Sequence, residues 1–165
     1  MNMASDSGIR VASAISTAGQ AARAVDQVCA DVVEQLKTAP DLALLFVSSQ
    51  YAPVDEQLAR QACRLLGTEQ LIGGTGESIV GVGVEIEERP AVSLWAARLD
   101  GVAILPMHLR LERAADGASI VGWPERLSSD WPADATMLVI GEPFSFPADL
   151  MVERLNEDHR DLRGV

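Results

Sequence analysis

The chain has 165 residues, 48% hydrophobic and 22% charged, a balance that fits one globular domain with an ordinary core. Its 24 acidic and 13 basic residues give a net charge of −11, which repels nucleic-acid phosphates and anionic membrane surfaces. No apolar run reaches the roughly 18 residues needed to cross a bilayer, and the polar start has no secretory signal. We therefore expect a cytoplasmic protein with no nucleic-acid or membrane partner.

The first 74 residues predict strands and helices in alternation, joined by short connections. Thr17-Ala-Gly-Gln20 has the spacing of a helix capping box, and Gly67 stands where a left-handed helix cap is wanted. The predicted elements are strands at 9–16, 41–47 and 70–74 and helices at 18–37 and from Pro53 to Leu66. This β-α-β-α-β order calls for a largely parallel sheet with right-handed crossovers.

The second half of the chain predicts strands of another kind. Asp100-Gly101 is a strong signal for the two-residue turn of a hairpin. The predicted strands lie at 82–88, 91–99, 102–112 and 136–142, and a final helix lies at 147–159. The expected fold class is α/β: a mixed sheet, parallel in its first half (β-α-β-α-β) and followed by an antiparallel hairpin, with helices packed on the sheet.

Five glycines between residues 73 and 83 invite comparison with known loop motifs. A P-loop would need Lys and Ser or Thr where Val82 and Gly83 stand, and a dinucleotide fingerprint would need a third glycine at Ile79. A serine nucleophile elbow would need a glycine at Val80. These departures argue against a phosphate cradle or an elbow. Two interpretations remain, a turn that shapes a pocket and glycines that only make tight turns.

Polar residues and glycines follow three of the predicted strands, at the positions where open parallel sheets bind ligands. The candidate ligand-binding residues are Ser48, Ser49, Gln50, Tyr51, Gly74, Thr75, Gly76, Glu77 and Glu142. They offer hydroxyls, an amide, a phenol, two carboxylates and glycine backbone that a ligand can approach closely. We expect a pocket for a small polar molecule, such as one carrying an amine, with Glu77 and Ser48 or Ser49 orienting it.

Other reactive side chains lack the partners that catalysis or metal binding needs. Cys29 and Cys63 show no zinc-ligand spacing, and we expect two buried, reduced thiols. His108 belongs to the charged face of a predicted strand, and a haem or gas sensor would use it as a ligand. A hydrolase needs a histidine partner for its serine, and none stands out. The serines that a hydrolase would use are Ser48, Ser49 and Ser78.

Three segments of the sequence resemble the N-terminal part of FIST domain proteins. They are PDLALLFVSSQY, LIGGTGESIVGVGVEIEERPAVSLWAARLDGVAILPMHL and MLVIGEPFSFPADLMVERLNE. The resemblance covers about residues 10–165, and its most specific run extends from Ile72 to Leu99. It implies a single FIST N-terminal-like domain over residues 9–165, after a flexible start at 1–8, that lacks the C-terminal half of the family.

The resemblance also implies a function. FIST proteins are regarded as intracellular sensory modules that bind small ligands, with amino acids suggested, and some members are associated with haem. The family carries no established catalytic motif. By this resemblance we expect a non-catalytic module of signal transduction, and the sequence assigns it no cofactor. Its expected partners are a small-molecule ligand and a C-terminal FIST half or a signalling protein. The alternatives are a haem or gas sensor, a protein-interaction module and a hydrolase.

Overall fold

The structure is a computed structural model that describes residues 8–114, 117–125, 132, 135–142 and 144–158. It divides into two compact units, one up to Ile104 and one from Leu105 onward. The strands of the first unit are β1 (Arg10–Ser16), β2 (Leu42–Ser48), β3 (Leu71–Gly76), β4 (Ser78–Gly81), β5 (Val84–Glu87) and β6 (Val92–Arg98). Its α-helices are α1 (Ala21–Leu36) and α2 (Asp55–Leu66), and a 3-10 helical turn over Ser49–Val54 leads from β2 into α2.

The first unit is built on a four-stranded sheet in the order β1-β6-β2-β3. β6 runs antiparallel to both β1 and β2, whereas β2 and β3 are parallel neighbours. The mixed α/β sheet is confirmed, and the chain order of its first five elements is the predicted one. The expectation that the first three strands form a continuous parallel sheet is wrong, because β6 inserts between β1 and β2.

One face of this sheet carries the main core. Alternate residues of β2, namely Ala43, Leu45 and Val47, are buried on the face that the two helices cover. The buried positions of α1 are Ala24, Val25, Val28, Cys29, Val32 and Leu36. Their spacing of three and four residues places them on one side of the helix, as in an amphipathic helix that packs on a core. Burial of each Val or Leu stabilises the fold by roughly 1.5–3 kcal/mol.

The helix ends show where local signals hold and where they fail. Gly67 follows α2 with φ 69°, and its N–H bonds to Cys63 O, so the predicted left-handed cap is confirmed. The predicted capping box does not form, because α1 begins only at Ala21 and Gln20 becomes the N-cap residue. Gln20 makes no side-chain cap bond, so the side chain leaves the first N–H groups of α1 available.

A short hairpin replaces the single strand predicted over 82–88. β4 and β5 pair antiparallel, and Val82 and Gly83 form the two-residue turn between them. Both turn residues have positive φ, 50° and 76°, as a type I′ turn requires. Val82 is an unusual residue there, because a β-branched side chain crowds the left-handed backbone. The regular apolar–acidic alternation predicts a continuous strand, and Gly83 is the only turn-favouring residue of the two in the turn.

The hairpin predicted around Asp100-Gly101 does not form. β6 ends at Arg98, and residues 102–109 belong to no strand. The physical reason lies in the sheet, because β1 and β2 already occupy both edges of β6 and leave it no edge for another strand. Pro106 further weakens a strand there, since proline has no N–H to donate.

The second unit contains its own antiparallel hairpin and a helix. β7 (Arg110–Ala114) pairs with β8 (Gly117–Val121), and α3 (Ala148–Asp158) matches the predicted final helix. The buried strand predicted over 136–142 is wrong for the residues that the structure describes. Those residues are not in a strand, and Leu138 is 56% exposed.

The close packing of β3 on β2 at Gly73 gives the first prediction. A methyl group at Gly73 would overlap the carbonyl oxygen of Leu45, its partner in the register, whereas one at Gly74 would meet no atom. We expect Gly73→Ala to lower the free energy of unfolding by about 1–3 kcal/mol, because the two strands must move apart. Gly74→Ala is the matched control and should change it by less than about 1 kcal/mol. Urea unfolding measures both, and equal midpoints would contradict the packing described here.

Candidate functional site

The carboxyl ends of three strands lie along one edge of the sheet. Because β6 is antiparallel to β1 and to β2, and β2 is parallel to β3, the strands β1, β2 and β3 all point the same way. Their last residues are Ser16, Ser48 and Gly76. This carboxyl edge is the place where open α/β sheets bind ligands.

The structure brings together the ends of β2 and β3, as the sequence predicted. Val47 lies opposite Thr75, and Ser48 lies opposite Gly76. Ser48 is only 1% exposed, and its hydroxyl accepts a hydrogen bond from the Ala91 N–H at 3.0 Å. The Ser48 N–H in turn donates to Ala91 O at 2.9 Å. Ser48 therefore fastens the end of β2 to the segment before β6.

Tyr51 also makes a structural contact. It is buried, and its hydroxyl donates a hydrogen bond to the carbonyl oxygen of Ala18 in the loop between β1 and α1. Burial raises the pKa of this phenol above its usual value. Ser49 and Gln50 precede it on the 3-10 turn and are exposed. Tyr51 thus joins the loop after β2 to the loop after β1.

The remaining predicted site residues lie in different settings. Gly74, Thr75 and Gly76 are part of β3 itself rather than of a turn, and exposed Glu77 separates β3 from β4. Glu142 belongs to the second unit, where hydrogen bonds from the Ser145 hydroxyl and the Phe144 N–H lower the pKa of its carboxyl. Its carboxylate stabilises the turn that follows it by accepting these hydrogen bonds.

A polar cleft opens at the carboxyl end of β1, which the sequence did not single out. Its volume is about 740 Å³, and it lies between the β1–α1 loop and the exposed side of α1. The lining residues are Ile15, Ser16, Thr17, Ala18, Gly19, Gln20, Arg23, Gln27 and Asp31. We call this hollow the α1 cleft. The Tyr51 hydroxyl holds the β1–α1 loop, which lines the cleft, through its hydrogen bond to Ala18 O.

The chemistry of the α1 cleft comes mainly from one face of α1. Arg23, Gln27 and Asp31 are spaced four residues apart and so lie in one row. The Ser16 hydroxyl donates to Gln27 Oε1 at 2.5 Å, which fixes the middle of this row. Within the part of the chain that the structure describes, neither Arg23 nor Asp31 forms an ion pair. Both charges are therefore available to a ligand.

Metal binding and membrane insertion find less support among the described residues. They contain no group of three or more His, Cys, Asp or Glu placed to hold a metal ion. No described helix has the length and apolar character to cross a membrane. His108 is exposed and precedes β7, and the Ser78 hydroxyl donates to Glu85 Oε1 at 2.7 Å.

The class of protein defined by this geometry is an α/β domain with a polar cleft at the carboxyl edge of a mixed sheet. Residues 41–163 match the model of the FIST N domain, and the chain belongs to that family of sensory domains. An uncharacterised protein of Mycobacterium tuberculosis H37Rv is 31% identical over 151 residues, and one of Mycobacterium bovis is 27% identical. Each alignment covers 91% of this chain but only 38% of the relative. No solved structure matches the chain.

The two cysteines give a prediction with a pH dependence. Both thiols are free, and Cys29 is fully buried whereas Cys63 is half-buried, so the expectation of two buried thiols holds only for Cys29. Burial, with the charge of Asp26 adding to it, raises the pKa of Cys29 to about 12. We expect Cys29 in a Cys63→Ser variant to resist iodoacetamide at pH 8 and to react once urea unfolds the chain, because the thiolate is the nucleophile.

The sign of the pH effect follows from the same pKa. The folded chain keeps the Cys29 proton above the pH at which the unfolded chain loses it, so folding is most favoured below about pH 9. That contribution is lost as pH rises from about 9 towards 12. Urea unfolding at stepped pH should show the loss, and Cys29→Ala should show a flatter profile. Labelling of native Cys29 as fast as that of the unfolded chain would contradict this burial.

Proposed function

We propose that the chain is an intracellular, non-catalytic sensory module that binds a small polar metabolite of the amino-acid class in the α1 cleft. The observation that carries this proposal is Arg23, a cation with no ion pair among the described residues, in an open cleft at the carboxyl edge that also offers oxygen acceptors. Membership of a sensory family supports the role. Arg23 and Asp31 precede the matched residues 41–163, so the site itself is argued from geometry and not carried over from the family.

Arg23 is the group that would hold the ligand carboxylate. It lies in the first turn of α1, where N–H groups not capped by a side chain and the positive end of the helix dipole also favour an anion. A guanidinium binds carboxylates through two parallel hydrogen bonds, which fixes orientation as well as position. The Thr17 hydroxyl and Gln27 Oε1 are the nearby oxygen acceptors for an ammonium group. The cleft thus offers partners for both halves of a zwitterion.

The residues predicted from the strand ends would then transmit the signal. Tyr51 holds the β1–α1 loop through Ala18, and Ser48 holds Ala91. A ligand that orders the β1–α1 loop would therefore act on the loop after β2 through the Tyr51 side chain, which already binds Ala18. The direct ligand contacts predicted for Ser49, Gln50 and the 74–77 segment stay a prediction of the sequence.

The affinity of an amino acid for Arg23 variants tests the proposal. We expect isothermal titration calorimetry to detect at least one amino acid, and Arg23→Gln to weaken its binding about 10–100-fold by removing charge-assisted hydrogen bonds. The methyl ester of the same amino acid should bind weakly to the wild type and lose nothing further in Arg23→Gln. Arg64→Gln, on the exposed side of α2, is the matched control. Absence of thermal stabilisation by every amino acid at millimolar concentration would end the proposal.

A second candidate function is packing against another domain. The sheet face opposite the helices carries Val11, 57% exposed, and Phe46, 36% exposed. The register places Val11 in line with Ala97 and Phe46 in line with Ser93, so both lie on this one face, on either side of β6, whose Ala97 and Ser93 are buried. Exposed apolar faces mark interaction sites, and more than half of each relative has no counterpart here. We propose that this unmatched part, the C-terminal half in longer family members, covers the face.

Co-purification tests this second candidate. The chain should bind the unmatched part of the M. tuberculosis relative when that part is produced as a separate polypeptide. Phe46→Thr should reduce capture at least severalfold, because it removes the largest exposed apolar side chain of the face. Val80→Thr, at a 65% exposed position on the β4–β5 hairpin, serves as the control. Equal capture by both variants would exclude the face as the interface.

A further inference from the structure

A second hollow adjoins the α1 cleft along α1. This hollow has a volume of about 330 Å³ and lies between α1, the edge strand β1 and the tip of the β4–β5 hairpin. Its lining residues are Ser13, Ala14, Ile15, Asp31, Glu34, Gln35 and Val82. Ile15 and Asp31 line both hollows, so the two adjoin, and we call them together the groove. We call the second part the distal hollow.

The polar lining of the distal hollow consists mainly of acceptors. Asp31 and Glu34 are three residues apart on α1 and present two carboxylates on one side of the helix. The Gln35 amide nitrogen donates to Ser13 O at 3.2 Å, which leaves Gln35 Oε1 as the free end of that amide. No lysine, arginine or histidine of the described chain lines the hollow. A cationic group is therefore the complement of this lining.

The apolar lining lies beside the carboxylates. Ile15 of β1 and Val82 of the hairpin turn line the hollow from the side of the sheet. Val82 is 61% exposed, at a turn position where Asn is the common residue. A methylene chain that ran along these two side chains would bury apolar surface on its way to the carboxylates.

The spacing of the charges excludes a compact zwitterion from using the whole groove. At 1.5 Å per residue, Asp31 lies about 12 Å farther along the helix axis than Arg23, and Glu34 lies about 16.5 Å farther. A carboxylate and an ammonium on the same carbon are too close together to reach both ends. A ligand whose positive charge sits at the end of a long chain bridges more of the distance, and the flexible Arg23 side chain covers part of the rest.

On the basis of the proposed function, we infer that the ligand is an amino acid with a long cationic side chain, such as lysine or arginine. Its carboxylate binds Arg23 in the α1 cleft, its methylene chain runs along Ile15 and Val82, and its terminal cation binds Asp31 and Glu34 in the distal hollow. The overall charge of −11 favours approach of such a cation over that of an acidic amino acid.

Titration of lysine against norleucine separates the inference from the proposed function. Norleucine has the carbon chain of lysine without its terminal charge. We expect lysine to bind the wild type at least tenfold more tightly than norleucine, and Glu34→Gln to remove most of that difference. Glu69→Gln is the matched control, since Glu69 lies before β3 and outside both hollows. Val82→Asn fits the turn and should weaken lysine and norleucine alike.

The outcomes distinguish the two ideas. Equal binding of lysine and norleucine, with Glu34→Gln indistinguishable from wild type, would overturn the cationic specificity and leave the amino-acid site standing. Binding of lysine that Glu34→Gln weakens but Arg23→Gln leaves unchanged would support the distal hollow and contradict the carboxylate site. Failure of lysine, arginine, norleucine and every other amino acid to bind would overturn both.

Discussion

The insertion of β6 between β1 and β2 is the constraint on which the site depends. Because β6 is antiparallel to both neighbours, it holds β1 in the same direction as β2 and β3 although β1 pairs with neither. The loops after all three strands therefore emerge at one edge. If β6 were at the edge of the sheet, β1 and β2 would become neighbours. The connection through α1 would then no longer pass over β6.

Hydrogen bonds of two buried side chains, Tyr51 and Ser48, stabilise the loops at this edge. The bonds from Tyr51 to Ala18 and between Ser48 and Ala91 connect segments that are far apart in sequence. Each involves a polar side chain in a buried position, where an unpaired group would cost about 1–3 kcal/mol. This explains why polar residues predicted as ligand contacts are partly used inside the domain. The same residue types serve a pocket directly or support the loops around it, and the sequence does not distinguish the two uses.

The sequence predicts the elements whose signals are local. The helix cap at Gly67 and the strand β2 are examples, because a left-handed cap and an apolar run depend on neighbouring residues alone. The position of β6 depends on which strand edges are free, and Asp100-Gly101 carries no information about that. The α1 cleft was missed for a related reason. Arg23, Gln27 and Asp31 have the pattern of an ordinary solvated side of a helix. They line a cleft only because the loop from Ser16 to Gln20 lies next to that side of the helix.

The net charge of the chain gives the basic and the acidic residues of α1 different roles toward a ligand. In a protein of net charge −11, a cation meets attraction at many places, whereas an anion needs a specific positive group. α1 has three acidic residues but only one basic residue, Arg23, and that residue occupies the turn where the helix dipole is positive. An anionic group thus has one favourable position along α1, and a cationic group is drawn to the remaining length of the helix. In the proposed function, a ligand with opposite charges at its two ends would take its orientation from that asymmetry, before any hydrogen bond is considered.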